Sequence, residues 1–165
     1  MDYYAEEYKK LHEMGYFSGF ACVKQKYRIK KLIQHTDSKT LLDYGSGKGK
    51  QYSVKKLNEF WNVSIDCYDP YVKKFSILPN KKYDGVICSD VLEHVPEEQL
   101  ETTLKSIFYR AEKFVFLCIF LKEAKKFFSD GKNVHVSIKS QMEWIELAQK
   151  FNSEKINLKI HFETR

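Results

Sequence analysis

The run Thr40-Leu41-Leu42-Asp43-Tyr44-Gly45-Ser46-Gly47-Lys48-Gly49-Lys50-Gln51-Tyr52 places the tightest constraint on what this chain can fold into. Leu41 and Leu42 read as a short apolar strand. It passes through Asp43 into a glycine-rich turn, and a polar helical start follows with Gln51, Ser53 and Lys55. Strand, glycine turn, helix is the layout with which parallel α/β sheets hold phosphates and nucleotides. Glycine lacks a Cβ, so such a turn can take positive φ and bring its backbone close to a ligand. The helix start then presents N–H groups that have no partner within the helix. Spacing narrows the choice. A phosphate-binding P-loop requires Gly-x-x-x-x-Gly-Lys-Ser/Thr. Here Lys48 is followed by Gly49, and position 43 is Asp. A dinucleotide fingerprint requires Gly-x-Gly-x-x-Gly. Gly45, Gly47 and Gly49 stand one residue tighter. A tight strand-to-helix turn without a ligand is the plainer alternative.

A second strand, Val63 to Tyr68, ends at Asp69-Pro70, and its acid lies 20 residues past Gly49. Proline stops a strand. An acid at the end of the second strand is where Rossmann-like folds receive ribose hydroxyls, since a carboxylate can accept from two vicinal O–H donors. Further on, Val86-Ile87-Cys88 is a continuous apolar run, as expected of a strand covered on both faces. Ser89-Asp90-Val91-Leu92-Glu93-His94-Val95 follows it directly.

Two of these stretches carry a family resemblance. Asp43-x-Gly45-x-Gly47-x-Gly49 resembles motif I of the class I S-adenosylmethionine (SAM) methyltransferases, and Asp90-Val-Leu-Glu-His-Val95 resembles the motif after their fourth strand. The similarity covers roughly residues 38–120. It implies an α/β three-layer sandwich with a mostly parallel sheet and SAM as cofactor, leaving S-adenosylhomocysteine as product. It also implies a cofactor site made of Tyr44, Gly45, Ser46 and Gly47, of Asp69, Pro70 and Tyr71, and of Ser89, Asp90 and Val91. The chain departs from the family between Tyr71 and Lys82, too short and basic for the usual helix and third strand. One or two of the usual strands are therefore expected to be missing. The family's fold also ends in an antiparallel pair, of which only Ile156 to Phe162 is evident.

Residues 1–35 read as a helical cap on a core spanning 38–165. Tyr4, Tyr8, Leu11 and Met14 recur at helical spacing, Gly15 to Gly19 interrupt it, and a second helix runs from about Ala21 to Gln34. Tyr16 and Phe17 stand where they can fold over the glycine loop or simply pack. A helix is expected from about Tyr52 to Phe60, and another from Ser140 to Phe151 opened by a Ser140–Glu143 capping box. Pro96-Glu97-Glu98 suits a first helical turn, and Phe114 to Phe120 reads as another buried strand.

With 165 residues, 43% hydrophobic, the chain is expected to form one domain, 1–165. No apolar run approaches the length that spans a bilayer, and the polar N-terminus lacks a signal pattern, so a cytoplasmic location is expected. Cys22, Cys67, Cys88 and Cys118 form no Cys-x-x-Cys pair and read as reduced thiols. The net charge of +6 is spread as lysine pairs over the whole chain, which fits solvated faces better than a nucleic-acid surface.

Methyl transfer from a sulfonium requires in-line alignment and exclusion of water, with a general base where the acceptor is a hydroxyl or amine. His94 and His135 are the candidate bases, each also readable as a structural or surface histidine. DNA base methyltransferases carry Asp/Asn-Pro-Pro-Tyr or Pro-Cys after the fourth strand, which Ser89-Asp90-Val91-Leu92 does not match. A small metabolite or carrier-linked group is the expected acceptor. A metal-dependent catechol-type site has Asn133 as its sole hint, and no metal is expected. A non-catalytic SAM-binding module, or an enzyme that uses SAM in a lyase reaction, are the alternatives.

Overall fold

The computed structural model describes residues 3–164. Met1 and Asp2, the start of the expected cap, and Arg165 at the end of the core lie outside the described residues. Two helices, α1 (Tyr3–Glu13) and α2 (Ala21–His35), precede β1 (Thr40–Tyr44). Then follow α3 (Lys50–Ser53), α4 (Leu57–Trp61), β2 (Ser64–Tyr68), β3 (Tyr83–Ser89) and α5 (Glu97–Arg110). The chain continues through β4 (Ala111–Phe120), α6 (Gln141–Lys150) and β5 (Asn157–Glu163). The five strands form one sheet in the order β2-β1-β3-β4-β5, and every pairing is parallel.

Alternation along each strand divides the core into two layers. Leu42, Val86, Val115 and Leu117 face α5 and α6, where they meet Leu100, Leu104, Ile107 and the fully buried Trp144. Leu41, Ile87, Phe114 and Phe116 face the other way, against Ile29 and Ile33 of α2 and Leu57 and Trp61 of α4. Helices on both faces are why the central strands read as unbroken apolar runs. Gly85 matters to this packing. A Cβ there would lie 2.2 Å from the Phe114 ring and 2.8 Å from Leu41 Cδ2. The ring of Phe114 thus occupies the room that a side chain on β3 would need.

Between β2 and β3 there is only a single 3-10 turn, Lys73–Phe75, so the third strand of the family is absent from the described sheet. The last strand differs from the family's antiparallel ending. Helix α6 carries the chain back across the sheet before Asn157, and a helical return of this kind delivers a parallel strand. The helix expected from Tyr52 to Phe60 is two short helices. Lys56 breaks it, with φ of 54°, and Leu57 and Trp61 are thereby turned into the core. Pro96 stands one position before α5 as its cap residue, while Ser140 and Glu143 form the expected capping box on α6. All four cysteines are free thiols, three of them buried.

Candidate active site

The sheet order reverses at β1. The chain moves outward from β1 to β2 and then returns to place β3 on the other side of β1. The carboxyl ends of β1 and β3 flank the crevice that such a reversal leaves, the usual ligand position in open α/β sheets. The glycine loop stands there, with Gly45, Gly47 and Gly49 at φ of 83°, 56° and 64°, values that side chains resist. Gly45 N–H and Ser46 N–H both donate to Tyr68 O, at 2.8 and 3.0 Å, which ties the loop to the end of β2.

Asp69 completes that tie. Its Oδ2 accepts from Gly47 N–H at 2.9 Å and its Oδ1 from Tyr71 N–H at 3.0 Å. The residue is only 5% exposed, and burial raises its carboxyl above the usual range. His12 Nε2, from α1, lies 3.8 Å from Asp69 Oδ1. Burial also holds His12 below its ordinary pKa, so the contact favours a neutral imidazole over an ion pair.

Behind the loop, Asp43 is a second buried acid. It accepts from Gln51 Nε2 at 2.6 Å and from the Tyr52 hydroxyl at 2.8 Å, while Gln51 Oε1 accepts from Cys22 N–H at 2.9 Å. This chain of bonds locks β1, α3 and the start of α2 together. Burial outweighs the two donors and pushes Asp43 up to about 7.

At the end of β3, Asp90 takes the left-handed conformation at φ of 58°, and its N–H donates to Cys118 O at 2.9 Å. Its Oδ1 is buried with no hydrogen-bond partner, and burial pushes the carboxyl up to about 6. Val91 fills the place of the missing Gly45 side chain: a Cβ there would lie 2.3 Å from Val91 Cγ2. The loop, Ser89, Asp90 and Val91 are therefore brought together as their spacing suggests. The Tyr44 ring packs against Tyr68 at 4.9 Å between centroids, on the α5 side, and Pro70 is exposed.

The cap closes over this junction. Lys48, Lys50 and Gln51 donate their N–H groups to Phe17 O, Ser18 O and Gly19 O. A Cβ on Gly47 would meet Phe17 O at 2.4 Å, so a side chain there would first displace this segment. Phe17, itself at φ of 54°, packs against His12 and His94, with ring centroids 5.0 and 5.4 Å away. Tyr8 and Tyr71 complete the aromatic group, 5.9 Å apart. Tyr16 lies outside it, 37% exposed, its ring 4.0 Å from Lys126 Nζ. His12 and Tyr8 carried no motif. Their only signal was a polar and an aromatic residue on the inward face of an amphipathic helix.

His94 and His135 come together, with ring centroids 4.8 Å apart and planes at 80°. His94 Nδ1 is 2.8 Å from Val134 O, and His135 Nδ1 is 2.6 Å from Lys122 O. Burial lowers both, His94 to about 3, so its imidazole is neutral at physiological pH. Asn133 is consumed by its own loop, accepting from Ala124 and His135 N–H and donating to Ala124 O.

The model of the methyltransferase domain family matches residues 24–158. The chain belongs to the SAM-dependent methyltransferases. Its structure resembles the crystal structure of Burkholderia thailandensis 1,6-didemethyltoxoflavin-N1-methyltransferase with bound 1,6-didemethyltoxoflavin and S-adenosylhomocysteine. The TM-score is 0.63 at 14% identity, over 89% of this chain and 75% of that one. At that identity the likeness speaks to the fold. No curated protein matches the sequence. The cofactor of this methyltransferase is SAM, and the buried acid at the end of β2, the positive-φ loop and the unpartnered Asp90 Oδ1 suit a polar, ribose-bearing ligand. No helix among the described residues is long and apolar enough to cross a membrane.

Proposed function

We propose that this methyltransferase acts on a small metabolite or a small carrier-linked group. The observation that carries the reading is the junction of Gly45 to Gly47, Asp69 and Asp90 under an aromatic cover from Tyr8, Phe17, Tyr71 and His94. SAM supplies an electrophilic methyl group on a sulfonium. In this reading Asp69 receives the ribose hydroxyls once His12 shifts off its Oδ1. The loop backbone positions the amino-acid end, and Ser89, Asp90 and Val91 bound the pocket on the β3 side. The aromatic residues exclude water and hold a compact acceptor in line, which is most of what such a transfer asks of a protein. The similarity to an enzyme crystallised with a small heterocycle supports the same acceptor class.

The test is incubation of the purified protein with methyl-labelled SAM and separate small-molecule and macromolecular fractions of a cell extract. Label is expected in the small-molecule fraction, with S-adenosylhomocysteine released in equal amount. Label in protein or RNA would overturn the acceptor class. A second reading, a SAM-binding module without turnover, is favoured by the shortened segment between β2 and β3, which holds only the 3-10 turn Lys73–Phe75. SAM binding with no S-adenosylhomocysteine from any fraction would select it, whereas methylthioadenosine would indicate lyase chemistry.

A further inference from the structure

Glu93 and His94 lie on the single 3-10 turn Leu92–His94 that follows β3, and His135 lies in the irregular stretch between β4 and α6. The two segments are stitched together. Ser137 N–H donates to Glu93 O at 3.0 Å and the Ser137 hydroxyl to Val95 O at 2.6 Å. This brings one carboxylate oxygen and two imidazole nitrogens within 4.8 Å of one another.

The orientation of each donor is set by a neighbour. A carbonyl oxygen can only accept, so the bonds of His94 Nδ1 to Val134 O and of His135 Nδ1 to Lys122 O place the proton on Nδ1 in both rings. Each Nε2 is left with its lone pair. Fixing one ring nitrogen on a backbone carbonyl is how metal-binding histidines are commonly oriented. Glu93 is fully buried. Its Oε1 accepts one N–H bond, from Phe120 at 3.3 Å, and its Oε2 has no partner. Asp90, three residues earlier, also keeps a buried unpartnered Oδ1. Two neighbouring buried acids with unsatisfied oxygens are costly in an apolar interior, and a bound cation offsets that cost.

We propose that Glu93, His94 and His135 form a binding site for a divalent transition-metal ion. Two imidazole nitrogens with one carboxylate oxygen suit zinc, cobalt, iron(II) or manganese, and not the all-oxygen shells of calcium and magnesium. Ligand distances of about 2.0–2.2 Å require the three side chains to draw inward by on the order of 1 Å. Three protein ligands leave at least one position open to water or to an acceptor oxygen. His94 also packs against Phe17 and Tyr8, so the ion would stand at the acceptor side of the aromatic cover. That last placement rests on the methyl-transfer reading; the site itself does not. A second group, Cys118, His161 and Glu163, is the less suitable one, because Gln25 Nε2 already donates to Glu163 Oε1 at 3.0 Å.

The test is direct and uses no cofactor. The protein, stripped with a chelator, is titrated with cobalt(II) by calorimetry and absorption spectroscopy, then challenged with zinc(II). One ion per chain is expected, with visible cobalt bands that zinc displaces. His135→Ala and Glu93→Gln should each weaken binding about 10- to 100-fold or more while melting cooperatively, and His161→Ala should bind like the wild type. His135 is the safer probe, since the fully buried Glu93 is the variant more exposed to folding failure. No stoichiometric uptake by the wild type would overturn the site, as would loss in His161→Ala with retention in His135→Ala. SAM affinity measured in parallel keeps the outcome separate from the methyltransferase assignment.

Discussion

Asp43 shows how one side chain can carry both order and cost. Its carboxylate gathers Gln51 and Tyr52, yet burial, with the charge of Asp69 nearby, raises its pKa from 3.8 to about 7. A carboxyl whose folded pKa exceeds its unfolded value binds its proton more tightly when folded. It therefore removes stability as pH rises from about 4 to 7, and the loss is complete above about 8. A rise of that size corresponds to about 4 kcal/mol, an upper bound for a buried group. Asn keeps an acceptor for both donors and cannot ionise, so Asp43→Asn should gain stability over the wild type across that window. Denaturant melts at pH 4 and pH 8 measure it, and an equal difference at both would refute the assignment. Asp69 gives a functional counterpart. A charge-assisted hydrogen bond contributes roughly 1.5–3 kcal/mol. Asp69→Ala should therefore cost about 2–4 kcal/mol of SAM binding, on the order of 30- to 1000-fold. Asp66 is the control, because it is held by Tyr83 and Lys81 at 2.7 Å each, away from the loop. Asp66→Ala should leave calorimetric SAM affinity nearly unchanged. Asp69 was legible from its distance to the glycines, whereas His12 was not, because its partner lies on an element more than fifty residues away.

At the scale of elements, strands were the easiest to read. Val86-Ile87-Cys88 and Phe114 to Phe120 are apolar on both faces because helices cover both. The break at Lys56 was not legible, since the left-handed turn there uses neither Gly nor Asn, and tertiary packing of Leu57 and Trp61 imposes it. The joining of the 3-10 turn Leu92–His94 to the stretch around Ser137 was equally hidden, because it rests on one backbone bond and one serine hydroxyl between segments with no shared pattern. The cap offers a prediction at this scale. Gly19 has φ of 79°, and a Cβ on it would lie 2.3 Å from Ser46 O and 2.6 Å from Gly49 N. Both neighbours are backbone, so the segment must move. Gly19→Ala should cost roughly 1–3 kcal/mol and release the segment locally. Hydrogen exchange should then speed up at the amides of Lys48, Lys50 and Gln51, which donate to Phe17, Ser18 and Gly19. Unchanged protection at those three amides would show that the cap is held by its aromatic contacts alone.

For the whole molecule, cofactor binding and folding stability are linked. A ligand that binds only the folded state at 100 times its dissociation constant adds about 2.7 kcal/mol. For a chain of 165 residues that should raise the melting midpoint by roughly 5–10 °C. Scanning calorimetry with and without excess SAM reads the shift, and Asp69→Ala should show less of it at the same concentration. Absence of any shift would argue against binding to the folded chain. The overall α/β architecture was legible because motif order and strand spacing agree. The parallel final strand was not, because strand direction is set by where α6 delivers the chain and not by the residues of the strand. The ring of Phe114 lying in the space above Gly85 has a consequence for the protein's descent. Neither position can drift alone. A methyl group added at 85 needs a smaller neighbour at 114, and a smaller residue at 114 opens a cavity until 85 fills it. Related sequences should therefore vary at these two positions as a pair, trading volume between strands that are about thirty residues apart in the chain and adjacent in the sheet.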